Sequence, residues 1–271
     1  MYSKFKYTPT HYFYNTELNP HLEKGKEIYN RFEKQAKKTL KDFIYKNGYI
    51  DGSALKDHWF KIEKADVFIS HSHKDITKVT AFAGWLYDTF GLTSFIDACS
   101  WGYCDDLLKE IDDEYCKNAS GDTYSYELRN YTTSHVHMMV SSAISQMIDN
   151  TECIIFFDTP NSIVLKDELA NVKNNTKKST LSPWIYHELS MSAMIRTTLP
   201  KRSGVILEHS SNYSHATRNQ LNIQYDVSEY LRNMESLTEG VLLEWKNNLN
   251  TLEVPLDTLY KIIKSKKESN Q

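Results

Sequence analysis

The segment Ser182-Pro183-Trp184-Ile185-Tyr186-His187-Glu188 carries the strongest chemical hint in this 271-residue chain. Ser182 is a good N-cap and Pro183 suits a first helical turn, so the spacing predicts a helix from here to about Arg196. On that helix Trp184, Glu188, Met191 and Ile195 share one face, with Ile185 and Leu189 beside them. A carboxylate on so apolar a face is costly to bury unless it is paired, hydrogen-bonded or turned toward a cleft. Partial burial would raise its pKa. Two readings stay open on the helix pattern alone. Glu188 either forms a salt bridge or reaches water from a rotated helix, or it serves a cleft.

Other polar groups sort by spacing. Ser70-His71-Ser72-His73-Lys74-Asp75 directly follows the apolar run Val67-Phe68-Ile69. Hydroxyls and backbone N–H groups just past the carboxyl end of a parallel strand lie where open α/β sheets bind ligands. The pairs His71/His73 and His135/His137 have no matching Cys or carboxylate set, and no metal site is expected. Cys99, Cys104, Cys116 and Cys153 form no CxxC pair and read as ordinary free thiols. The acidic run from Asp105 to Glu114 reads as a solvated helix face. The chain has no GxGxxG or P-loop, which argues against a hydride-transferring Rossmann enzyme or an NTPase.

The elements that must hold these residues follow from period. Residues 1 to about 18 are Tyr-rich without helical repeat and read as an extended arm. Leu22, Ile28, Phe32, Ala36, Leu40, Phe43 and Ile44 then mark an amphipathic helix, closed by Asn47-Gly48, with a short helix near Ser53–Phe60. From Ala65 the texture is α/β. Val67–Ile69 is a buried strand, and Ile76, Val79, Ala83, Leu86 and Phe90 stripe a helix that Gly91 caps. Thr93–Asp97 is a second strand, so a parallel sheet is the natural closure. Ala98–Cys104 reads as a loop entering a short acidic helix, and 117–133 as a loop or insertion. Ser134 is expected to cap the next helix. Cys153–Phe157 and Val205–Leu207 are further strands, with a Lys/Asn-rich stretch at 171–180 between them. One helix is expected near Val227–Leu249, before a frayed tail.

Composition bounds the class. Lys and Arg number 32 against 35 Asp and Glu, so the near-neutral chain lacks the basic balance of a nucleic-acid binder. Nine glycines and six prolines are few, which disfavours a loop-rich all-β fold or a disordered chain. No apolar run approaches the ~18 residues of a membrane span, and the N-terminus has no signal-peptide core. A soluble protein with free thiols fits the cytoplasm.

Asp66-Val67-Phe68-Ile69-Ser70-His71-Ser72, followed by Lys74-Asp75, resembles the opening strand and loop of Toll/interleukin-1 receptor (TIR) domains, in their bacterial, free-standing form. In that family the second strand leads into a functional loop, here Ala98–Cys104, and a later helix carries a Trp-x-x-x-Glu motif, here Trp184 to Glu188. The resemblance covers about residues 64–208. It implies a flavodoxin-like parallel sheet flanked by helices over 63–209, with 1–62 an arm and helical leader and 210–271 a helical extension. It further implies cleavage of the nicotinamide–ribose bond of NAD⁺ with Glu188 as the catalytic carboxylate. In bacterial relatives that reaction serves antiphage defence, through NAD⁺ depletion or a cyclic or conjugated ADP-ribose signal.

The chemistry suits few residues. Nicotinamide is already a cationic leaving group, and one ionised carboxylate facing an oxocarbenium-like ribose can do most of the work. Trp184 can pack on the ribose or the ring. Ser70, His71, Ser72 and Asp97 are candidate sugar and phosphate contacts, and Trp101 or Tyr103 a cover for the nicotinamide. Plain loop packing is the alternative for each loop residue. NAD⁺ is then substrate, with no separate cofactor, and the resemblance implies self-association and an effector that senses the product. Rival readings are a non-catalytic TIR interaction module and a nucleoside deoxyribosyltransferase-like enzyme.

Overall fold

The computed structural model of the chain describes residues 1–33, 40–61, 64–166, 177–198, 200, 223–249 and 253–269. In chain order the first elements are β1 (Ser3–Tyr7), α1 (His11–Phe13), α2 (Leu22–Glu33), α3 (Gly52–Trp59), β2 (Val67–Ser70), α4 (Ile76–Phe90), β3 (Ser94–Ile96), α5 (Ala98–Tyr115), α6 (Tyr126–Asn150) and β4 (Cys153–Phe157). They are followed by β5 (Val164–Lys166), β6 (Lys177–Thr180), α7 (Pro183–Met194), β7 (Tyr225–Asp226), α8 (Ser228–Arg232), β8 (Glu235–Leu237), α9 (Glu239–Asn247) and α10 (Pro255–Ser269).

The centre is a five-stranded sheet in the order β3-β2-β4-β1-β8, parallel at every pairing. Helices flank it, the arrangement of a flavodoxin-like α/β fold. β2 and β4 are buried at every residue, which is why both are continuous apolar runs rather than alternating ones. β5, β6 and β7 form a second, small antiparallel sheet. It lies in a Lys- and Thr-rich stretch that gives no apolar signal.

α4 follows its sequence pattern closely. Val79, Ala83, Leu86 and Phe90 are buried, and Gly91 ends the helix at φ 69° with its N–H bonded to the Leu86 and Tyr87 carbonyls. α2 crosses α4 at two glycines. A Cβ on Gly25 would stand 1.8 Å from the Thr80 carbonyl oxygen, and one on Gly84 2.0 Å from that of His21. Only hydrogen at both positions lets the backbones approach so closely.

Several expectations need correction. Ser3–Tyr7 is extended, but as an inner strand between β4 and β8 rather than an arm. Its alternation buries Phe5 and Tyr7 and sends Lys6 Nζ to the Leu231 carbonyl at 2.7 Å. The sheet therefore draws strands from each of the three expected segments. Ala98–Cys104 is not a loop but the opening turns of α5. α6 starts nine residues before the expected Ser134, at Ser125, whose hydroxyl accepts from Leu128 N–H; Ser134 instead donates to the Asn130 carbonyl inside the helix. The exposed Tyr126 and Tyr131 hide that first half, because they put no apolar stripe into the sequence. The single helix expected over 227–249 is α8, β8 and α9, with Thr238 capping the last. The expected frayed tail is largely helical, as α10. The strand expected at Val205–Leu207 lies outside the described residues. Among the described residues no helix is long and apolar enough to cross a membrane.

Candidate functional site

The site is assembled where three parallel strands end. β2 closes on Ser70 and delivers His71 and Ser72 into the loop beyond. Asp97 directly follows β3. The turn after β4 supplies Thr159, Asn161 and Ser162. Two polar ties hold these loops together. Buried Asp75 accepts from Thr159 Oγ1 at 2.6 Å and from Asn161 Nδ2 at 2.9 Å. The Ser72 N–H donates to Ser162 Oγ at 3.2 Å. α7 then lies across the strand ends, started by Ser182, whose hydroxyl accepts from the Ile185 N–H, and by Pro183 in the first turn.

These elements enclose a hollow of about 720 Å³. His71, Ser72, Asp97, Asn161 and Ser162 line its strand-end side, and Trp184 and Ile185 its α7 side. Tyr29, Cys104 and His137 reach in from the helices around it. The His137 ring meets Trp184 edge-on at 5.2 Å between ring centres, which fixes one wall. A volume of this order is typical of small-molecule and cofactor sites.

Glu188 does not line the hollow. It lies one layer behind, 0% exposed, as does Ser70. The Ser70 hydroxyl donates to Glu188 Oε2 at 2.6 Å. Glu188 Oε1 finds no donor, and no Lys, Arg or His forms an ion pair with it among the described residues. Burial pushes the Glu188 carboxyl well above the usual carboxylate range, and the neighbouring Asp97 carboxyl pushes it further; the Ser70 hydrogen bond opposes both. Asp97 and His71, respectively 2% and 4% exposed, bridge this buried layer and the hollow. His71 Nδ1 lies against Asp97 Oδ1, although neither ring nitrogen makes a well-directed hydrogen bond. His187, next in sequence to Glu188, points elsewhere, its Nε2 3.2 Å from the Ser141 carbonyl of α6; burial lowers its pKa.

Comparison with family models, with curated proteins and with solved structures finds no match.

The structure brings most of the sequence-selected residues together. His71, Ser72, Asp97 and Trp184 face the hollow, whereas Ser70 is buried behind it, bonded to Glu188. Trp101 and Tyr103 stand in the first turns of α5, and their side chains lie outside what is described. For Glu188, neither form of the first reading, salt bridge or solvent-facing carboxylate, is found among the described residues, and for the second the carboxyl lies behind the hollow without lining it. Sequence reasoning missed Asn161 and Ser162. Their signal was present in the polar residues after Cys153–Phe157, the same pattern that drew attention to Ser70–Ser72 after β2. It also missed Tyr29 and weighed His137 only as a metal ligand; both reach the hollow, from separate helices.

Proposed function

We propose that this protein is a TIR-like NAD⁺ nucleosidase that breaks the nicotinamide–ribose bond with Glu188 as its key carboxylate. The supporting observation is a fully buried glutamate with no cationic partner among the described residues, directly behind a hollow at the carboxyl ends of β2 and β3. A carboxyl placed so is expensive for folding and idle as a structural ion pair, which favours an enzyme over a non-catalytic interaction module.

In this reading the ribose lies over His71, Ser72 and Asp97, and Trp184 packs against ribose or ring. The C1′–N bond breaks, its electron pair leaves with neutral nicotinamide, and positive charge develops on the ribose. Ionised Glu188 stabilises that charge from the layer below. Water then adds at C1′ and gives up a proton to solvent, yielding ADP-ribose, or a nucleophile within the substrate or on a second molecule adds there instead and gives a cyclic or conjugated product. We place the activity in the cytoplasm and in antiphage defence, with assembly of several copies completing the site and a downstream effector sensing the product.

Nicotinamide release by concentrated purified protein tests the proposal. Glu188→Ala and Glu188→Gln should each lose at least about 10²-fold, the scale of one lost electrostatic stabiliser. Equal rates in all three proteins would remove Glu188 from the mechanism.

A second reading draws on Asp97. With two carboxyls adjacent, one can protonate a neutral base as it leaves, which is the need of a nucleoside deoxyribosyltransferase-like enzyme. Base release from nucleosides but not from NAD⁺ would favour it.

A further inference from the structure

The buried layer holds more acid than cleavage of a cationic leaving group requires. Glu188 and Asp97 are adjacent, and both are nearly or wholly withdrawn from water. Ser70 occupies Glu188 Oε2 and His71 lies against Asp97 Oδ1. That leaves Glu188 Oε1 buried with no donor. An orphaned, ionised oxygen in such a place is strongly disfavoured, and two adjacent carboxylates disfavour each other as well. A proton on Glu188 removes both penalties.

We infer that Glu188, buried beside Asp97, holds a proton in the free protein and releases it when a positively charged ring enters the hollow. The ligand class is a cationic heteroaromatic ring, and the inference rests on the reading of the hollow as an NAD⁺ site. The incoming charge does what Asp97 prevents. It stabilises ionised Glu188 beside Asp97, so binding and the readying of Glu188 are one event. The other titratable groups facing the hollow are Tyr29 on α2, His73 just after β2, Cys104 and Asp105 on α5, and His137 on α6. Among the described residues none of them has a polar contact to Glu188, whereas Asp97 does. Asp97 is thus a positioning residue that sets the charge of Glu188, with His71 as its clamp.

The test compares NAD⁺ with NADH, which differs in having an uncharged ring. Binding is measured by calorimetry from about pH 6 to 9, in buffers of different ionisation enthalpy. A ligand that expels one proton gains about tenfold in affinity per pH unit wherever Glu188 is protonated in the free protein. NAD⁺ should show that slope and a released proton, and NADH should show neither. Glu188→Gln, which keeps the shape and cannot ionise, should bind NAD⁺ without slope or proton release. Asp97→Asn should move the slope to lower pH. A flat NAD⁺ profile in the wild-type protein, equal slopes for NAD⁺ and NADH, or a slope that survives Glu188→Gln would each overturn the inference. Proton-linked binding without nicotinamide release would sink the nucleosidase reading alone. Turnover without proton linkage would sink this inference alone. Failure of NAD⁺ to bind would sink both.

Discussion

Glu188 is where folding and function conflict. Its folded-state pKa is raised by burial and by Asp97. In the unfolded chain a glutamate titrates near ~4.3. Below that value both states hold the proton and Glu188 makes no demand on stability. As pH climbs from there toward the raised folded value, the unfolded chain has given up a proton that the native state still holds. Unfolding then becomes progressively easier. Glu188→Gln removes this dependence and retains a donor for the orphaned oxygen's surroundings. The variant should therefore melt above wild type near pH 8 and close to it near pH 5, with about 2–4 °C for each kcal/mol recovered in a chain of this length. A Tm difference independent of pH would show that the buried carboxyl is already ionised in the native state. The sequence displayed this conflict in part, as one acid among Trp184, Met191 and Ile195. It could not display Asp97, because the partner lies ninety-one positions away and only the sheet brings it near.

Elements whose instructions are local were legible, and those defined by neighbours were not. β2, β4, α4 and α7 carry continuous apolar runs, a capping glycine, or a Ser-Pro start, and each forms where those signals stand. β1, the opening turns of α5 and the first half of α6 carry no such signal. Their conformation is set by what they pack on, as tertiary context overrides weak propensity. The α2–α4 crossing belongs to the same class, since nothing in Gly25 or Gly84 names the other. A methyl group on Gly84 would meet the His21 carbonyl oxygen at 2.0 Å and the Gly25 nitrogen at 2.6 Å, both backbone atoms that cannot rotate away. Gly84→Ala should cost about 1–3 kcal/mol or more in chemical denaturation, despite alanine's better helix propensity. Gly240→Ala in α9 is the matched control. Its nearest neighbour would be Thr238 Oγ1 at 3.8 Å, so it should be neutral or stabilising by up to about 1 kcal/mol. Equal losses at both sites would mean that the crossing is looser than its geometry.

The two ends of the chain complete the molecule rather than decorate it. β1 is paired on both sides, to β4 and to β8, so the sheet closes only when the first residues and those near 235 meet. The same joining continues outside the sheet. Trp245 of α9 stacks on Phe90 of α4 at 3.7 Å, and its indole N–H donates to the Pro255 carbonyl at 2.7 Å. Lys246 pairs with Glu17 at 2.9 Å, and Glu239 accepts from the Thr10 N–H at 2.8 Å. A single apolar core runs through all of these contacts, from Phe5 to Leu259. The fragment 63–209, which carries every site residue proposed for catalysis, would expose the whole β1-side edge of β4 and strip the stacked Trp245 from Phe90. An open, apolar strand edge of that kind invites aggregation. Expressed alone, the fragment should be insoluble or melt without cooperativity, and deletion of residues 1–8 from the full chain should do nearly the same by removing Phe5 and Tyr7. Circular dichroism melting of both proteins is the measurement. A fragment that melts cooperatively and still binds NAD⁺ would mean that the chain ends are accessory after all, and that strand order alone is a poor guide to which residues the site depends on.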